Sequence, residues 1–170
     1  MSDFTGPNEY IVVARHADKR LDLDDGKKED KTKLQLLYVP SSDVPRAAVK
    51  LTPCPSENKD NDQYGPNQRF VFADAGNEEY FIFNIRAGTY LTASSDGKSQ
   101  ITGNLLSPLE KSVRWKIVPV RDGSGSYYIY SVAHPENVID IQAAGTENRT
   151  AAITYPKNGH KNQQFFLRYP

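Results

Sequence analysis

The same kind of segment occurs three times along the chain, as Tyr10-Ile-Val-Val-Ala14, Tyr80-Phe-Ile-Phe-Asn84 and Tyr128-Ile-Tyr-Ser131. Each segment is rich in aromatic and β-branched residues, which favours a β-strand. An aliphatic residue follows each leading tyrosine at the same distance, eleven residues on, and short turn-like stretches lie between. These aliphatic residues are Leu21, Leu91 and Ile139. The sequence therefore predicts three units that each open as a hairpin of the same connection length.

The three units also end alike, in the segments Asn67–Phe72, Ser112–Ile117 and Asn162–Leu167. Each of these segments has an aromatic residue at the same position of an apolar strand, and these residues are Phe70, Trp115 and Phe165. No single unit can bury its apolar face alone, so three copies are expected to close around a pseudo-threefold axis and to share one core. The aromatic and aliphatic repeat residues are expected to fill that core.

This pattern predicts an all-β chain with the β-trefoil fold, about twelve strands and almost no helix. The predicted repeats of this single domain are residues 1–76, 77–123 and 124–170. The first repeat is the longest because it contains the stretch 40–66, which is rich in Pro, Asp, Asn and Ser. We interpret this stretch as an insertion that loops out, in which residues 47–51 can still pair as a strand.

Composition and charge exclude several classes of function. The 21 basic and 21 acidic side chains give a formal net charge of zero, so nothing draws the chain toward nucleic acid or anionic lipid. We expect no nucleic-acid partner, and no membrane insertion, since no apolar run is long enough to span a bilayer. The segment MSDFTGPNEY lacks the pattern of a signal peptide. We expect a cytoplasmic protein, with non-classical secretion as the open alternative.

The sequence offers little support for catalysis. Its one cysteine, Cys54, lies between two prolines within the predicted insertion, and it cannot form an intrachain disulfide. The three histidines, His16, His134 and His160, are too scattered to suggest a metal site. The setting of Cys54 between two prolines gives no support to a thiol dyad with any of them. We therefore expect a protein that is not an enzyme and that has no metal and no cofactor.

The closing segments resemble those of the ricin B-chain-like lectins, whose repeats end in a Gln-x-Trp signature. The signature reads Gln68-Arg-Phe70 in the first repeat and Gln163-Gln-Phe165 in the third, and it degenerates to Val113-Arg-Trp115 in the second. The second repeat is also similar to the Sclerotinia-type agglutinins of fungi. The resemblance implies one shallow sugar site per intact repeat, with galactose or N-acetylgalactosamine as the sugar.

In this family an Asp directly after the aliphatic residue accepts hydrogen bonds from two sugar hydroxyls, and an aromatic residue about fifteen positions later stacks on the sugar ring. These roles suit sugar chemistry, because hydroxyls favour a charged acceptor and the C–H face favours an aromatic platform. An Asn before the closing Gln bonds a further hydroxyl. The third repeat carries the full set, and its predicted site residues are Asp140, Ile153, Tyr155, Asn158, Asn162 and Gln163. We expect Gln163 to support the pocket rather than to touch the sugar.

The first repeat is a second candidate site. Its predicted residues are Asp22, Gln35, Tyr38 and Asn67. The aromatic Tyr38 comes one position late, so either Leu37 or Tyr38 faces the pocket, and a slip of one residue would reverse the choice. In the second repeat Thr92 replaces the Asp, so we interpret that repeat as structural.

The resemblance implies a lectin with glycans or glycoproteins as partners. Because shallow sugar sites bind weakly, we expect multivalency, from two sites per chain or from a homodimer. The alternative is a β-trefoil protease inhibitor that acts through the proline-rich loop 40–66, because prolines lower the entropy that a loop loses on docking.

Overall fold

The computed structural model describes residues 2–38 and 65–170. Those residues contain twelve β-strands and five three-residue 3-10 turns, and they form no helix that could span a membrane. The strands are β1 (Asn8–Ala14), β2 (Lys19–Leu23), β3 (Thr32–Leu37), β4 (Arg69–Gly76), β5 (Glu79–Asn84), β6 (Tyr90–Thr92), β7 (Thr102–Asn104), β8 (Arg114–Pro119), β9 (Tyr127–Ser131), β10 (Asn137–Ile141), β11 (Ala152–Pro156) and β12 (Phe165–Arg168). The 3-10 turns are Asp24–Gly26, Pro66–Gln68, Lys111–Val113, Gln142–Ala144 and Lys161–Gln163.

Half of the strands form a closed antiparallel ring. Around this barrel β1 pairs with β4, β4 with β5, β5 with β8, β8 with β9, β9 with β12, and β12 with β1 again. Because the ring is closed, none of its strands has a free edge, and free edges are where strands of different chains usually pair and aggregate. The remaining strands make three hairpins, β2–β3, β6–β7 and β10–β11, one in each repeat. This architecture confirms the predicted β-trefoil fold.

The hairpins are joined to one another as well as to the barrel. Strand β3 pairs with β7, the isolated bridge Gln100↔Ile153 joins the second hairpin to the third, and Gln35↔Ala151 joins the third to the first. Each hairpin therefore contacts the hairpin of the next repeat. One consequence is that a loop of one repeat lies beside the pocket-forming strands of another.

The repeat residues fill the common core as predicted. Phe70, Trp115 and Phe165 are fully buried, and Leu21, Leu91 and Ile139 are at most 1% exposed. The Trp115 indole Nε1 donates a hydrogen bond to the Leu91 carbonyl at 2.9 Å, so the one polar atom of the largest core residue is satisfied. Phenylalanine at the other two closing positions has no such atom and packs without a partner of this kind.

Most of the predicted insertion 40–66 lies outside the described residues, and so do the strand expected at 47–51 and Cys54. The described part resumes at Gly65, and Pro66 begins the 3-10 turn that leads into β4. The loop assigned to the inhibitor alternative therefore falls almost wholly in this stretch.

Because the three repeats share one core, truncating the equivalent aliphatic residue of any repeat should destabilise the protein. Replacing Leu21, Leu91 or Ile139 by alanine should lower the free energy of unfolding by about 2–5 kcal/mol each, because each change leaves a cavity in the same core. Urea denaturation measures the effect. Leu105→Ala is the control, since Leu105 is 65% exposed, and it should change stability by less than about 0.5 kcal/mol. A core variant as stable as this control would contradict the shared core.

Candidate functional site

The third hairpin presents one polar face next to the core. Strand β10 pairs with β11 so that Asp140 lies opposite Ile153 and Val138 lies opposite Tyr155. Side chains alternate along a strand, so the burial of Ile139 in the core directs its neighbour Asp140 to the other face. Ile153 and Tyr155, two residues apart, share that face with Asp140.

A cavity of about 470 Å³ opens on this face. Its lining residues are Lys98, Asp140, Gln142, Ala143, Ala144, Ile153, Tyr155, Asn158, His160 and Asn162. The cavity thus brings together five of the six side chains that the sequence predicted for the third repeat. The sixth, Gln163, is fully buried beneath the cavity floor.

Gln163 positions the acceptor of this cavity. Its amide nitrogen Nε2 donates to Asp140 Oδ2 at 2.8 Å and to the Pro156 carbonyl at 3.0 Å. Its amide oxygen Oε1 accepts hydrogen bonds from the backbone nitrogens of Asn158, at 2.8 Å, and Gly159, at 3.3 Å. One buried amide therefore fixes both the carboxylate and the loop that carries Asn158.

The Asp140 carboxylate is buried, and burial raises its pKa above the usual value. The hydrogen bond from Gln163, the nearby Asn162 amide and the charges of His16 and His160 oppose that rise. The Asn162 amide nitrogen itself donates to the Ile141 carbonyl at 3.0 Å. A desolvated carboxylate with few donors gains free energy when a ligand hydroxyl donates to it. Asp140 is therefore suited to accept hydrogen bonds from a polyhydroxylated ligand.

Tyr155 gives the cavity an apolar surface. Its side chain is 43% exposed although it belongs to a strand, and Ile153 lies two residues before it on the same face. An exposed aromatic ring next to a buried carboxylate can hold a ligand that has one apolar face and one hydroxylated edge. Sugars have this shape.

Several lining residues were not among the predicted site residues. Ala143 and Ala144 form the rim in the 3-10 turn after β10, and both have left-handed φ angles, 53° and 51°. The same turn in the first repeat contains Asp25 and Gly26 at φ 53° and 58°. Aligning the two turns by repeat identifies this rim. Lys98 comes from the second repeat, and no local sequence signal marks it.

The first repeat has the same strand pairing as the third, but its carboxylate accepts hydrogen bonds from three internal side chains. Asp22 lies opposite Gln35, as Asp140 lies opposite Ile153. Asp22 Oδ2 accepts from Asn67 Nδ2 at 2.6 Å and from Gln68 Nε2 at 3.1 Å, and Oδ1 accepts from Gln35 Nε2 at 3.4 Å. Three internal amides therefore donate to Asp22, whereas Asp140 accepts from Gln163 Nε2 at 2.8 Å and has the Asn162 amide nearby.

The strand register settles which residue of the first repeat takes the aromatic position. Leu37 pairs with Arg20 as Tyr155 pairs with Val138, so Leu37 stands where the third repeat has Tyr155. Leu37 is 9% exposed. Tyr38 follows the end of β3, and its backbone nitrogen donates to Asn148 Oδ1 at 3.0 Å. The register thus leaves the first repeat without an aromatic residue at that position.

The second repeat has no acidic residue at the corresponding place. Thr92 lies opposite Thr102 in the β6–β7 hairpin, and its hydroxyl donates to the Tyr90 carbonyl at 3.1 Å. The position opposite Tyr90, equivalent to Tyr155, is Asn104. This hairpin therefore lacks both the charged acceptor and the aromatic platform.

Comparison with known proteins agrees with this geometry. Residues 66–155, more than half of the chain, match the family described as ricin-type β-trefoil lectin domain-like. The chain belongs to this family. No curated protein matched the sequence.

Solved structures with the same fold include other β-trefoil proteins. The Rhizoctonia solani agglutinin is 20% identical, with a TM-score of 0.73 over 98% of each chain. The designed threefold-symmetric protein ThreeFoil is 22% identical, with a TM-score of 0.72 over 94% of this chain and 96% of its own. The C-half of the earthworm R-type lectin, solved in complex with GalNAc, is 17% identical, with a TM-score of 0.65 over 95% of this chain and 98% of that one. At these identities the likeness establishes the fold.

The buried Asp22 predicts a pH dependence of stability. Burial raises its pKa to about 7, helped by the charges of Asp24 and Asp25 and opposed by bonds from Gln68 and Gln35. The folded state therefore holds this proton more tightly than the unfolded chain, whose Asp titrates near pH 3.9. Its stabilising contribution is complete below about pH 4 and is lost as the pH rises toward 7.

Asp22→Asn removes this titration while it keeps the shape of the side chain. Relative to the variant, the wild type should lose on the order of 2–4 kcal/mol of unfolding free energy between pH 4 and pH 8. Urea denaturation at a series of pH values measures the difference. A difference that stays constant over this range would contradict a raised pKa at Asp22.

Proposed function

We propose that this protein is a lectin that recognises galactose- or N-acetylgalactosamine-type glycans through the cavity of the third repeat. The observation that carries the proposal is the convergence of one buried carboxylate, Asp140, and one exposed aromatic ring, Tyr155, in the same cavity. Membership of the ricin-type lectin-like family supports it. In this proposal Asp140 accepts hydrogen bonds from two sugar hydroxyls, and Tyr155 packs against the C–H face of the ring.

The other lining residues complete the proposed site. The Asn158 and Asn162 side chains line the cavity, and we assign them further contacts with sugar hydroxyls. Ile153 supplies apolar surface opposite Asp140. Gln163 acts as a positioning residue, because its amide holds Asp140 from below. The site is preorganised by these bonds, which reduces the ordering cost of binding a small ligand.

We assign the sugar site to the third repeat and not to the first. Asp22 is a poorer acceptor for a ligand because three amides already donate to it and because a pKa of about 7 leaves much of it protonated at neutral pH. One difference from the third repeat is Gln35, which lies at the position of Ile153 and donates to Asp22. With one strong site per chain, multivalent binding requires more than one copy of the chain.

The proposed activity is binding without catalysis. Glycoside hydrolysis ordinarily uses two carboxyl groups on opposite sides of the bond that is cleaved. Asp140 is the sole carboxylate among the described residues that line the cavity. The cavity therefore suits the binding of an intact glycan rather than its hydrolysis.

Two isosteric variants test this proposal. Asp140→Asn keeps the shape of the acceptor but removes its charge, so affinity for an N-acetylgalactosamine-terminated glycan should fall about tenfold to 100-fold, because charge-assisted hydrogen bonds become neutral ones. Isothermal titration calorimetry with a soluble glycan measures the affinity and the number of sites.

Asp22→Asn is the matched control, since it makes the same change at the equivalent position of the first repeat and should leave affinity and stoichiometry unchanged. A wild-type affinity in Asp140→Asn would refute the proposed site. Equal losses in both variants would show that the two repeats share the function.

A further inference from the structure

The cavity of the third repeat receives one cation from a different repeat. Lys98 lies in the loop between β6 and β7 of the second repeat, yet its side chain lines the same cavity as Asp140 and Tyr155. Its side chain is exposed to solvent. In the described residues no carboxylate lies within ion-pair distance of the Lys98 ammonium.

The loop that carries Lys98 is held firmly against the third repeat. The Asn137 side-chain nitrogen donates to the Gly97 carbonyl at 2.6 Å, and His134 Nε2 lies 2.9 Å from the Ser94 carbonyl oxygen. The Thr154 backbone nitrogen of β11 donates to the Ser99 carbonyl at 3.2 Å. These contacts fix the backbone on both sides of Lys98.

The interior of the loop is also fixed. Asp96 accepts hydrogen bonds from the Ser94 hydroxyl and from the backbone nitrogens of Lys98 and Ser99, at 2.7 to 2.9 Å, and from the Ser99 hydroxyl at 2.5 Å. These bonds hold the pKa of Asp96 well below its usual range. Asp96, the carboxylate nearest to Lys98 in sequence, therefore accepts hydrogen bonds from within the loop and stabilises its conformation.

The register places Lys98 beside the aromatic platform. Gln100 forms an antiparallel bridge with Ile153, and Ser99 bonds to Thr154. Lys98 directly precedes Ser99, and its side chain lines the same cavity as Tyr155, which directly follows Thr154. Asp140 is on the far side of β11, because it pairs with Ile153 from β10. Strand β10, which carries Asp140, and the loop that carries Lys98 thus pair with β11 from its two opposite edges.

Building on the proposed lectin function, we propose that this cavity prefers glycans that carry an anionic substituent, a sulfate or a carboxylate, and that Lys98 holds that substituent. A sugar that packs on Tyr155 and donates hydroxyls to Asp140 turns its opposite edge toward Lys98. An anion on that edge gains a charge-assisted hydrogen bond, whereas an anion on the Asp140 side would meet a like charge.

The test compares a neutral glycan with its acidic derivatives. The probes are N-acetyllactosamine, its 3-O- and 6-O-sulfated forms and its sialylated form, each titrated into wild type, Lys98→Gln and the control Lys111→Gln. Lys111 is an exposed lysine of the same repeat that does not line the cavity. At least one acidic derivative should bind the wild type about three- to tenfold more tightly than the neutral glycan.

Lys98→Gln should remove this preference, so that it binds the neutral and the acidic glycans equally well, and Lys111→Gln should keep the preference. The preference should shrink between 0.1 M and 1 M NaCl, as the Debye length falls from about 10 Å to about 3 Å. Tighter binding of the sulfated forms would identify sulfate as the preferred anion, and tighter binding of the sialylated form would identify carboxylate. Equal binding of neutral and acidic glycans, or a preference that survives in Lys98→Gln, would overturn this inference but not the lectin proposal. Failure of every glycan to bind would refute the lectin proposal itself.

Discussion

The structure depends on one constraint. None of the three repeats has a core of its own, so each repeat must bury one aliphatic and one aromatic side chain in a core that all three share. The aliphatic residue of each second strand and the aromatic residue of each closing strand meet that demand. The constraint also fixes the site. Because Ile139 must point inward, Asp140 must face away from the core. The 3-10 turn that precedes the buried Phe165 brings Gln163 Nε2 within 2.8 Å of Asp140 Oδ2. The core therefore sets the position of the carboxylate and its support.

Small changes on this common frame separate the repeats chemically. At the position opposite the carboxylate, Gln35 donates to Asp22, whereas Ile153 leaves Asp140 without that donor. At the aromatic position, Leu37 is nearly buried and Tyr155 is exposed. These two differences convert a self-satisfied polar cluster in the first repeat into an open, partly apolar cavity in the third. Buried polar groups are stable when their bonds are internal, and they are available to a ligand when they are not.

The fold and most of the candidate site were predictable because both follow from repeat spacing. The offset from Ile139 to Tyr155 and the pair Asn162-Gln163 lie within one repeat, so a linear sequence contains them. The choice between Leu37 and Tyr38 was not decided, since a single β-bulge in the hairpin would have moved the register by one residue. Lys98 could not be predicted as a cavity residue, for a different reason. It approaches the cavity through pairing between repeats, which the sequence does not mark.

We propose that Asp140 and Tyr155 hold one sugar between them. The most direct measurement is a crystal structure of the protein soaked with N-acetylgalactosamine. We expect one sugar per chain, with two hydroxyls within hydrogen-bonding distance of the Asp140 carboxylate and the sugar ring packed on Tyr155. A sugar bound at Asp22, or bound elsewhere with the third-repeat cavity empty, would contradict it.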